Sequence, residues 1–352
     1  MRVDDHGIIT GANDAAEKMF SKESLNGDNI RLLFKELSDL NVPGIIRKSE
    51  KINITVRVNG RILDLTLKGI NSIITMNVYA NEITQIVMAE NKIKEQANNI
   101  NDSIVYASRI QLAILPEERI LKQIFPECFV FYRPKNVVSG DFYWVNQVGD
   151  MKIVAVADCT GHGVPGAFMS MLGISLLNEL ILREQITDSD EILNILRERL
   201  ILSLSSGSNK ADVKDGMDIS LAVIDTKTQT ISFSGAYNPM FICRDDKLLI
   251  LEADRMPVGK HFAEYSPFTA KKEQVLPGDR VFMFSDGFKD QFGGINNRKY
   301  SSRSFKELIL KTNDLPFDSV YSIMEEAFDS WKQDAEQVDD VLVMGFKILK
   351  DN

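Results

Sequence analysis

Between about residues 124 and 350 the chain carries nine short apolar runs, each of strand length and each bounded by turn or polar residues. Runs of this kind fold as strands, because their side chains bury against a second layer. Helical segments interrupt them: one from 165 to about 184, one beginning near Ser189, and two later ones at 304–310 and 318–331. Many strands with clustered helices predict an α+β domain, an antiparallel β-sandwich flanked by helix pairs.

Aspartates recur at the ends of these predicted strands. Asp158 ends the run KIVAVAD, and Asp286 ends the run RVFMFSD. Four more stand where a run begins, namely Asp141, Asp218, Asp339 and Asp340. One such aspartate is usually a turn residue, but neighbouring antiparallel strands can bring all of these ends to one edge of the sandwich. Five or six carboxylates gathered there would not stay ionised without cations.

The chemistry of such a cluster predicts a particular kind of enzyme. Oxygen ligands without histidine or cysteine favour Mg²⁺ or Mn²⁺. Two such ions about 4 Å apart can bind a phosphoryl group and activate a bridging water. The three cysteines are widely spaced and form no CxxC pair, so neither a zinc site nor a disulfide scaffold is predicted. The residues therefore predict a phosphomonoesterase that needs no covalent nucleophile.

The charge balance bears on the partners. The formal net charge is −9, from 41 basic and 50 acidic residues, whereas nucleic acids and anionic membranes favour a basic face. This argues against a two-metal nuclease, which would also use clustered carboxylates. The chain has no run of about 18 apolar residues and no signal-peptide pattern at its start. We expect a cytoplasmic protein with no nucleic acid and no membrane as partner of this chain.

Residues 1–80 predict a small α+β module. Asn13 and Asp14 can cap a helix that runs through Phe20, and Asn59-Gly60 between alternating runs predicts a hairpin. The stretch GIITGANDAAEKMF, a strand followed by an asparagine and a helix, resembles a PAS sensor domain whose first strand is short or missing. The resemblance implies a sensor; a dimerisation module without a ligand is the alternative.

Residues 81–122 predict a long helical, coiled-coil-like linker. Leu115-Pro116 marks where this helix stops or kinks. Polar Gln111 breaks the apolar stripe of the helix, which otherwise follows heptad spacing through Ile93, Ala97, Ile100, Ile104, Ala107 and Ile114. Two alternatives remain open from the pattern, a parallel dimer and a helix packed on its own domain.

Six motifs in the remaining residues carry a more specific resemblance. In chain order they are SGDFYW, VADCTGHGVPGAFMSML, GMDISL, SGAYNP, FSDGFKDQFGG and VDDVLVMG. Together they resemble the metal-dependent serine/threonine protein phosphatases of the PPM type, in their bacterial SpoIIE-like branch, and INDSIVYASRIQLAILP resembles the helix that leads into that domain. The resemblance covers roughly 100–350 and implies that 123–352 is the phosphatase domain.

The same resemblance implies a substrate and a mode of control. The enzyme would dephosphorylate phosphoserine or phosphothreonine in a regulatory protein of the anti-sigma-factor antagonist type, by attack of a metal-activated water. The N-terminal module and the linker helix would control it, within a homodimer. The alternative is a signalling module with a phosphatase fold that binds phosphoprotein without turning it over.

Metal roles follow from the resemblance residue by residue. Asp158 would bridge two Mn²⁺ or Mg²⁺ ions, and the backbone carbonyl of Cys159 would add an oxygen ligand. Asp286 and Asp339 would complete the shell of the second ion, while Asp340 would assist or replace Asp339.

Two further aspartates have weaker assignments. Asp141 would hold a metal-bound water. Asp218 would serve a third ion or would only shape a turn.

Four residues are candidates for binding phosphate. Gly161 and Gly163 let the chain turn sharply into the following helix, whose N-terminus favours an anion. His162 is a candidate general acid, against a plain loop role. Arg133 is a candidate phosphate ligand, although its spacing to Asp141 differs from that of the arginine in eukaryotic PPM enzymes.

Overall fold

The structure, a computed structural model, describes residues 1–205, 215–260 and 266–350. It divides into two compact units, Met1–Asn101 and Asp102–Asn352. The division falls inside the helix that the sequence predicts for 81–122. Each unit is described by itself.

The first unit is a five-stranded antiparallel sheet with three short helices between its second and third strands. The sheet order is β2-β1-β5-β4-β3. The strands are β1 (Arg2–Val3), β2 (Ile9–Gly11), β3 (Lys51–Val58), β4 (Arg61–Ile70) and β5 (Thr75–Glu82). The helices are α1 (Asp14–Phe20), α2 (Ile30–Leu33) and α3 (Val42–Lys48), and 3₁₀ turns occupy Lys35–Leu37 and Asn71–Ile73.

Local sequence signals explain much of this unit. The Asn13 side chain accepts a hydrogen bond from the Ala16 amide and caps α1. Asn59 and Gly60, both with positive φ, join β3 to β4 as the predicted hairpin. The first strand has only two residues. The PAS resemblance itself stays a prediction.

A long helix, α4 (Thr84–Ile114), begins in the first unit and ends in the second. It stops just before Leu115-Pro116, so the predicted segment 81–122 is not one helix. A separate helix, α5 (Glu118–Ile124), follows. Ile93 and Ile100 of the predicted stripe are 65% and 62% exposed, whereas Gln111 is buried.

The second unit contains two stacked antiparallel sheets. One has the order β14-β10-β9-β8-β7, with β13 also paired to β9, and the other has the order β12-β11-β15-β18-β6. A small separate hairpin joins β16 to β17. The strands are β6 (Cys128–Arg133), β7 (Phe142–Val148), β8 (Met151–Cys159), β9 (Gly216–Asp225), β10 (Thr230–Ala236), β11 (Met240–Arg244), β12 (Lys247–Leu251), β13 (Val258–Gly259), β14 (Lys271–Gln274), β15 (Arg280–Phe284), β16 (Phe292–Gly293), β17 (Arg298–Lys299) and β18 (Val341–Lys347).

Helices cover the outer face of each sheet. They are α6 (Val164–Leu177), which continues as a π-helical segment Asn178–Arg183, then α7 (Ser189–Ser205), α8 (Gly287–Asp290), α9 (Ser302–Lys311) and α10 (Phe317–Lys332). One apolar core lies between α6, α7 and the first sheet, a second between the two sheets, and a third between the second sheet and α9 and α10. The predicted α+β sandwich with flanking helix pairs is confirmed.

One segment of this unit, Val164–Arg183, is long and apolar enough to cross a membrane by length and composition alone. In the structure, 56% of its most apolar window is buried. Leu177, Leu180 and Ile181 of this segment belong to the core over the first sheet. The apolar composition is thus accounted for by packing within the unit.

Candidate active site

The two central strands of the first sheet bring two aspartates together. In the antiparallel pair β8 and β9, Asp158 near the end of one strand lies directly opposite Asp218 near the start of the other. Side chains of directly opposed residues project from the same face of a sheet, and like charges there repel. The strand register alone therefore places an unfavourable carboxylate pair at this edge.

The second sheet brings Asp286 next to the 339–340 doublet. Beyond the end of β15, the Ser285 amide donates to the Leu342 carbonyl at 2.9 Å, and the Leu342 amide donates to Ser285 Oγ at 3.0 Å. The next residues approach so closely that a Cβ on Gly287 would overlap the Asp340 carbonyl oxygen. Glycine after Asp286 is thus a packing requirement, and it brings two acidic segments together.

The doublet divides into one buried and one more accessible carboxylate. Asp340 is 3% exposed, and its two oxygens accept hydrogen bonds from the amides of Lys135 and Gly140, each at 2.7 Å. Asp339 is only partly buried, and its Oδ1 accepts from the Asp340 amide at 2.9 Å. Asp340 therefore holds two loops in place, and Asp339 is the member of the doublet with the carboxylate more open to a ligand.

Asp141 lies at the end of the loop that Asp340 holds. Its amide donates to Ser139 Oγ at 3.0 Å, and the Tyr132 hydroxyl donates to its carbonyl at 3.3 Å. The side chain is buried, and Oδ2 has no hydrogen-bond partner among the described residues. A buried carboxylate oxygen without a donor is costly, and a cation or a cation-bound water is the usual remedy.

Burial and mutual repulsion raise the pKa of these carboxyls. Burial, followed by the charge of Asp158, raises the pKa of Asp141 well above its usual range. Burial and then Asp286 raise the pKa of Asp158 well above its usual range, and they raise that of Asp218 to about 7. The pKa of Asp286 is also raised, mainly by burial, although the nearby Lys289 opposes the shift. The edge is therefore a poor place for carboxylate anions unless positive charge is supplied.

The case for divalent cations at this edge depends on the type of donor atoms and on the burial of the carboxylates. Among residues 1–205, 215–260 and 266–350, no three acidic, histidine or cysteine side chains already surround one point as ion ligands would. The donor set is nevertheless all oxygen, and Asp141 leaves one oxygen unsatisfied. Chemically these residues fit Mg²⁺ or Mn²⁺.

Cys159 does not have the properties of a reactive thiol. It is the last residue of β8 and is 3% exposed. Burial raises the pKa of its thiol well above its usual range, and Asp158 and Asp141 add to the shift. A thiolate nucleophile is therefore disfavoured. The Cys159 carbonyl oxygen lies beside the loop that ends at Asp141. A Cβ added at Gly140 would be 3.1 Å from this oxygen.

The predicted phosphate-binding residues lie in two places. Gly161 and Gly163 have φ values of 88° and 68°, which glycine tolerates best, and Gly163 is the N-cap residue of α6. His162 between them is exposed, with Nδ1 3.1 Å from Asn136 Oδ1. Arg133, by contrast, forms an ion pair with Asp329 at 2.6 Å and covers the ring of Phe328. A phosphate at Arg133 would have to compete with that carboxylate.

Several polar residues that support this edge were not among the sequence predictions. The Gln291 side chain donates to the Glu336 carbonyl and accepts from the Val338 amide, which fixes the turn before Asp339. Gln111 binds the backbone of Ser139, two residues before Asp141. Of these residues, only Gln111 could be noticed in the sequence, because it is a polar residue that interrupts the apolar stripe of its helix.

The matches to known proteins cover the same part of the chain. The profile of the family described as Stage II sporulation protein E (SpoIIE) matches residues 149–349. The structure is similar to the SiaA PP2C domain of Pseudomonas aeruginosa, with 28% sequence identity and a TM-score of 0.65 over 72% of this chain and 98% of that one. No curated protein was found that matches the chain in sequence.

Two further solved structures share the fold at lower identity. One contains the PP2C phosphatase domain and a fragment of the regulatory domain of SpoIIE from Bacillus subtilis, with 22% identity and a TM-score of 0.51 over 63% of each chain. The other contains RsbU and RsbW domains from Mycobacterium tuberculosis, with 18% identity and a TM-score of 0.50 over 65% of this chain and 62% of that one. The second unit therefore has a PP2C/SpoIIE-type phosphatase fold.

Proposed function

Because this chain belongs to the SpoIIE family, we propose that it is a metal-dependent phosphatase acting on phosphoserine or phosphothreonine of a regulatory protein. The observation that carries the proposal is the end of the sandwich at which aspartates from five distant segments, borne by both sheets, act on one another, with raised pKa values for four of them. Such an edge is unfavourable in itself, and perturbed carboxyls of this kind cluster at functional sites.

Particular residues would hold the cations. Asp158, the Cys159 carbonyl, Asp286 and Asp339 are the proposed ligands, and Asp218 is the ligand proposed for a third ion. Mn²⁺ or Mg²⁺ bound there would offset the charge of the phosphoryl oxygens and acidify a water molecule. Asp340, whose oxygens are engaged by backbone amides, supports the loops and is not a proposed ligand.

The remaining roles belong to the chain itself. Asp141 would orient the attacking water through its unpartnered oxygen. His162 is exposed beside the turn into α6, where it could protonate the leaving hydroxyl or serve only the loop through Asn136. Arg133 stays a candidate phosphate ligand only if Asp329 releases it.

Exposed apolar side chains next to this edge favour a protein substrate. Val164 and Phe168, in the first turns of α6 just after Gly163, are 38% and 68% exposed. Apolar surface of this kind commonly marks a macromolecular contact. An anti-sigma-factor antagonist is the proposed class, with a cytoplasmic location.

Control by the N-terminal unit is proposed on the same basis. Ile93 and Ile100 of α4 are largely exposed and follow heptad spacing, which favours pairing with a second copy of the helix. A homodimer with paired α4 helices would connect a signal in the PAS-like module to the phosphatase unit.

The test uses the full chain with Mn²⁺ or with a chelator. Hydrolysis of p-nitrophenyl phosphate and of a phosphoserine protein is measured for the wild type, for Asp158→Asn and for Asp286→Asn. We expect cation-dependent turnover that falls to background in both variants. Asp225→Asn, at the far end of the same strand as Asp218, is the matched control and should keep its activity.

Two results would contradict the proposal. Equal turnover in chelator would exclude the cation mechanism. Binding of the phosphoprotein without turnover under any cation would favour the alternative, a non-catalytic module.

A further inference from the structure

A single side chain connects α4 to the loop that carries Asp141. Gln111 is 3% exposed on a helix whose side chains are otherwise largely exposed. Its Nε2 donates to the Ser139 carbonyl at 2.6 Å and to Ser170 Oγ at 2.8 Å, and its Oε1 accepts from the Ser139 amide at 3.1 Å. The amide thus satisfies both backbone polar groups of Ser139, as a neighbouring strand would.

The loop beyond Ser139 is held at each successive residue. Gln111 binds Ser139, Asp340 accepts from the Gly140 amide, and Ser139 Oγ accepts from the Asp141 amide. Asp141 Oδ2 has no hydrogen-bond partner among the described residues, and the one side-chain hydrogen bond of this carboxyl comes from Ser285. The position of Asp141 therefore depends on the backbone of this loop together with Ser285, and Gln111 is the loop anchor that comes from α4.

Resting on the proposed function, we propose that Gln111 is a positioning residue: its hydrogen bonds to Ser139 place Asp141 to hold a cation-bound water and link that site to α4. Groups that orient metal-binding residues without touching the metal commonly change metal affinity about 10- to 100-fold when they are replaced. Removing the amide while keeping its volume should therefore weaken cation binding by at least about 10-fold.

The experiment compares full-length variants that differ only at this contact. Gln111→Met keeps the length of the side chain and loses its hydrogen bonds. Gln111→Glu keeps the shape of the side chain but replaces the Nε2 donor by a carboxylate oxygen, which cannot donate to the Ser139 carbonyl. The matched control is Gln147→Met, at the opposite end of β7 from Asp141, where the amide binds the Gly149 carbonyl in an exposed turn.

Two readouts separate positioning from a merely structural role. Mn²⁺ affinity is measured by calorimetry, and exchange of the backbone amides of 136–142 is measured by mass spectrometry, with thermal unfolding as the folding control. We expect both Gln111 variants to bind Mn²⁺ at least about 10-fold more weakly and to exchange faster in 136–142, while Gln147→Met matches the wild type.

Each outcome gives a decision. Wild-type Mn²⁺ affinity in a folded Gln111→Met variant overturns the inference and leaves the proposed function standing. Failure of the wild type to bind Mn²⁺ overturns both. If neither Gln111 variant folds, Gln111→Asn keeps an amide but shortens it out of reach of Ser139, and unchanged Mn²⁺ affinity in that variant overturns the inference.

Discussion

Without cations, the stability of the phosphatase unit should fall as the pH rises from 6 to 8, and Asp218 should account for a measurable part of that fall. Asp218 lies opposite Asp158, and burial followed by the charge of Asp286 raises its pKa to about 7 from the ordinary 3.8. The folded protein therefore binds a proton at Asp218 in a pH range where the unfolded chain does not.

The sign and size follow from proton linkage. Because the folded pKa is the higher one, the contribution is fully present below the unfolded pKa and is lost as the pH rises through 7. Between pH 6 and pH 8 one group with these pKa values removes about 1.4 kcal/mol from the free energy of unfolding. Burial shifts the pKa values of Asp141, Asp158 and Asp286 in the same direction, so the wild type should lose more than this.

The assay is urea unfolding in chelator at both pH values, followed by tryptophan fluorescence. Trp144 and Trp331 both lie in the second unit, so the signal reports that unit alone. Asp218→Asn should lose at least about 1 kcal/mol less than the wild type between pH 6 and 8, and it should be the more stable protein at pH 8. Asp225→Asn should keep the wild-type slope, and saturating Mn²⁺ should reduce the slope. Identical slopes for wild type and Asp218→Asn would refute the reasoning.

Three other changes test the division of roles at this edge. Asp340→Asn should destabilise the unit by about 3 kcal/mol, because one oxygen that accepts a hydrogen bond from a backbone amide is replaced by a donor group. Asp339→Asn should abolish turnover with a smaller loss of stability. Urea unfolding measures the first effect and a phosphatase assay measures the second. Gly140→Ala should cost about 2 kcal/mol in the same unfolding assay and weaken Mn²⁺ binding, since its Cβ would lie 2.7 Å from the Gly161 carbonyl oxygen. Cys159 should resist iodoacetamide at pH 8 until the unit unfolds, as peptide mass spectrometry would show, and rapid alkylation of the folded protein would contradict its burial.

Local pattern was enough to place most elements of the site. The strands that carry Asp158 and Asp218, and the strand that ends just before Asp286, are predicted from continuous apolar runs, and the helix after Gly163 is predicted from its glycines and proline. Antiparallel pairing of β8 with β9 then puts Asp158 opposite Asp218, whereas Asp286 follows a strand of the other sheet and comes near them only through the stacking of the two sheets. The strands and the helix depend on residues close in sequence, where side-chain periodicity and turn chemistry are informative.

The finer assignments depend on contacts between distant segments. Asp339 and Asp340 are equivalent in the sequence, and only the amides of Lys135 and Gly140, about 200 residues earlier, make Asp340 the buried member. Arg133 is engaged by Asp329, 196 residues away. No periodicity encodes such partners, because they follow from how the two sheets stack.

The polar break at Gln111 is an intermediate case. Heptad spacing identified it as the position where the stripe of α4 fails, but its partners lie 28 and 59 residues further along the chain. A buried amide requires partners. The sequence could therefore indicate that a contact exists without indicating that the contact is to the loop of Asp141.

The composition of α4 has a consequence for any signal that passes along it. Its 31 residues contain neither glycine nor proline, so nothing in the sequence favours a hinge, and at about 1.5 Å per residue it spans about 46 Å. In a continuous helix of this kind, the number of residues between two positions fixes the angle between their side chains around the helix axis. Inserting one alanine near residue 101 would turn Gln111 by about 100° around the helix axis relative to the residues of α4 that precede the insertion, whereas inserting seven would leave a net turn of only about 20°.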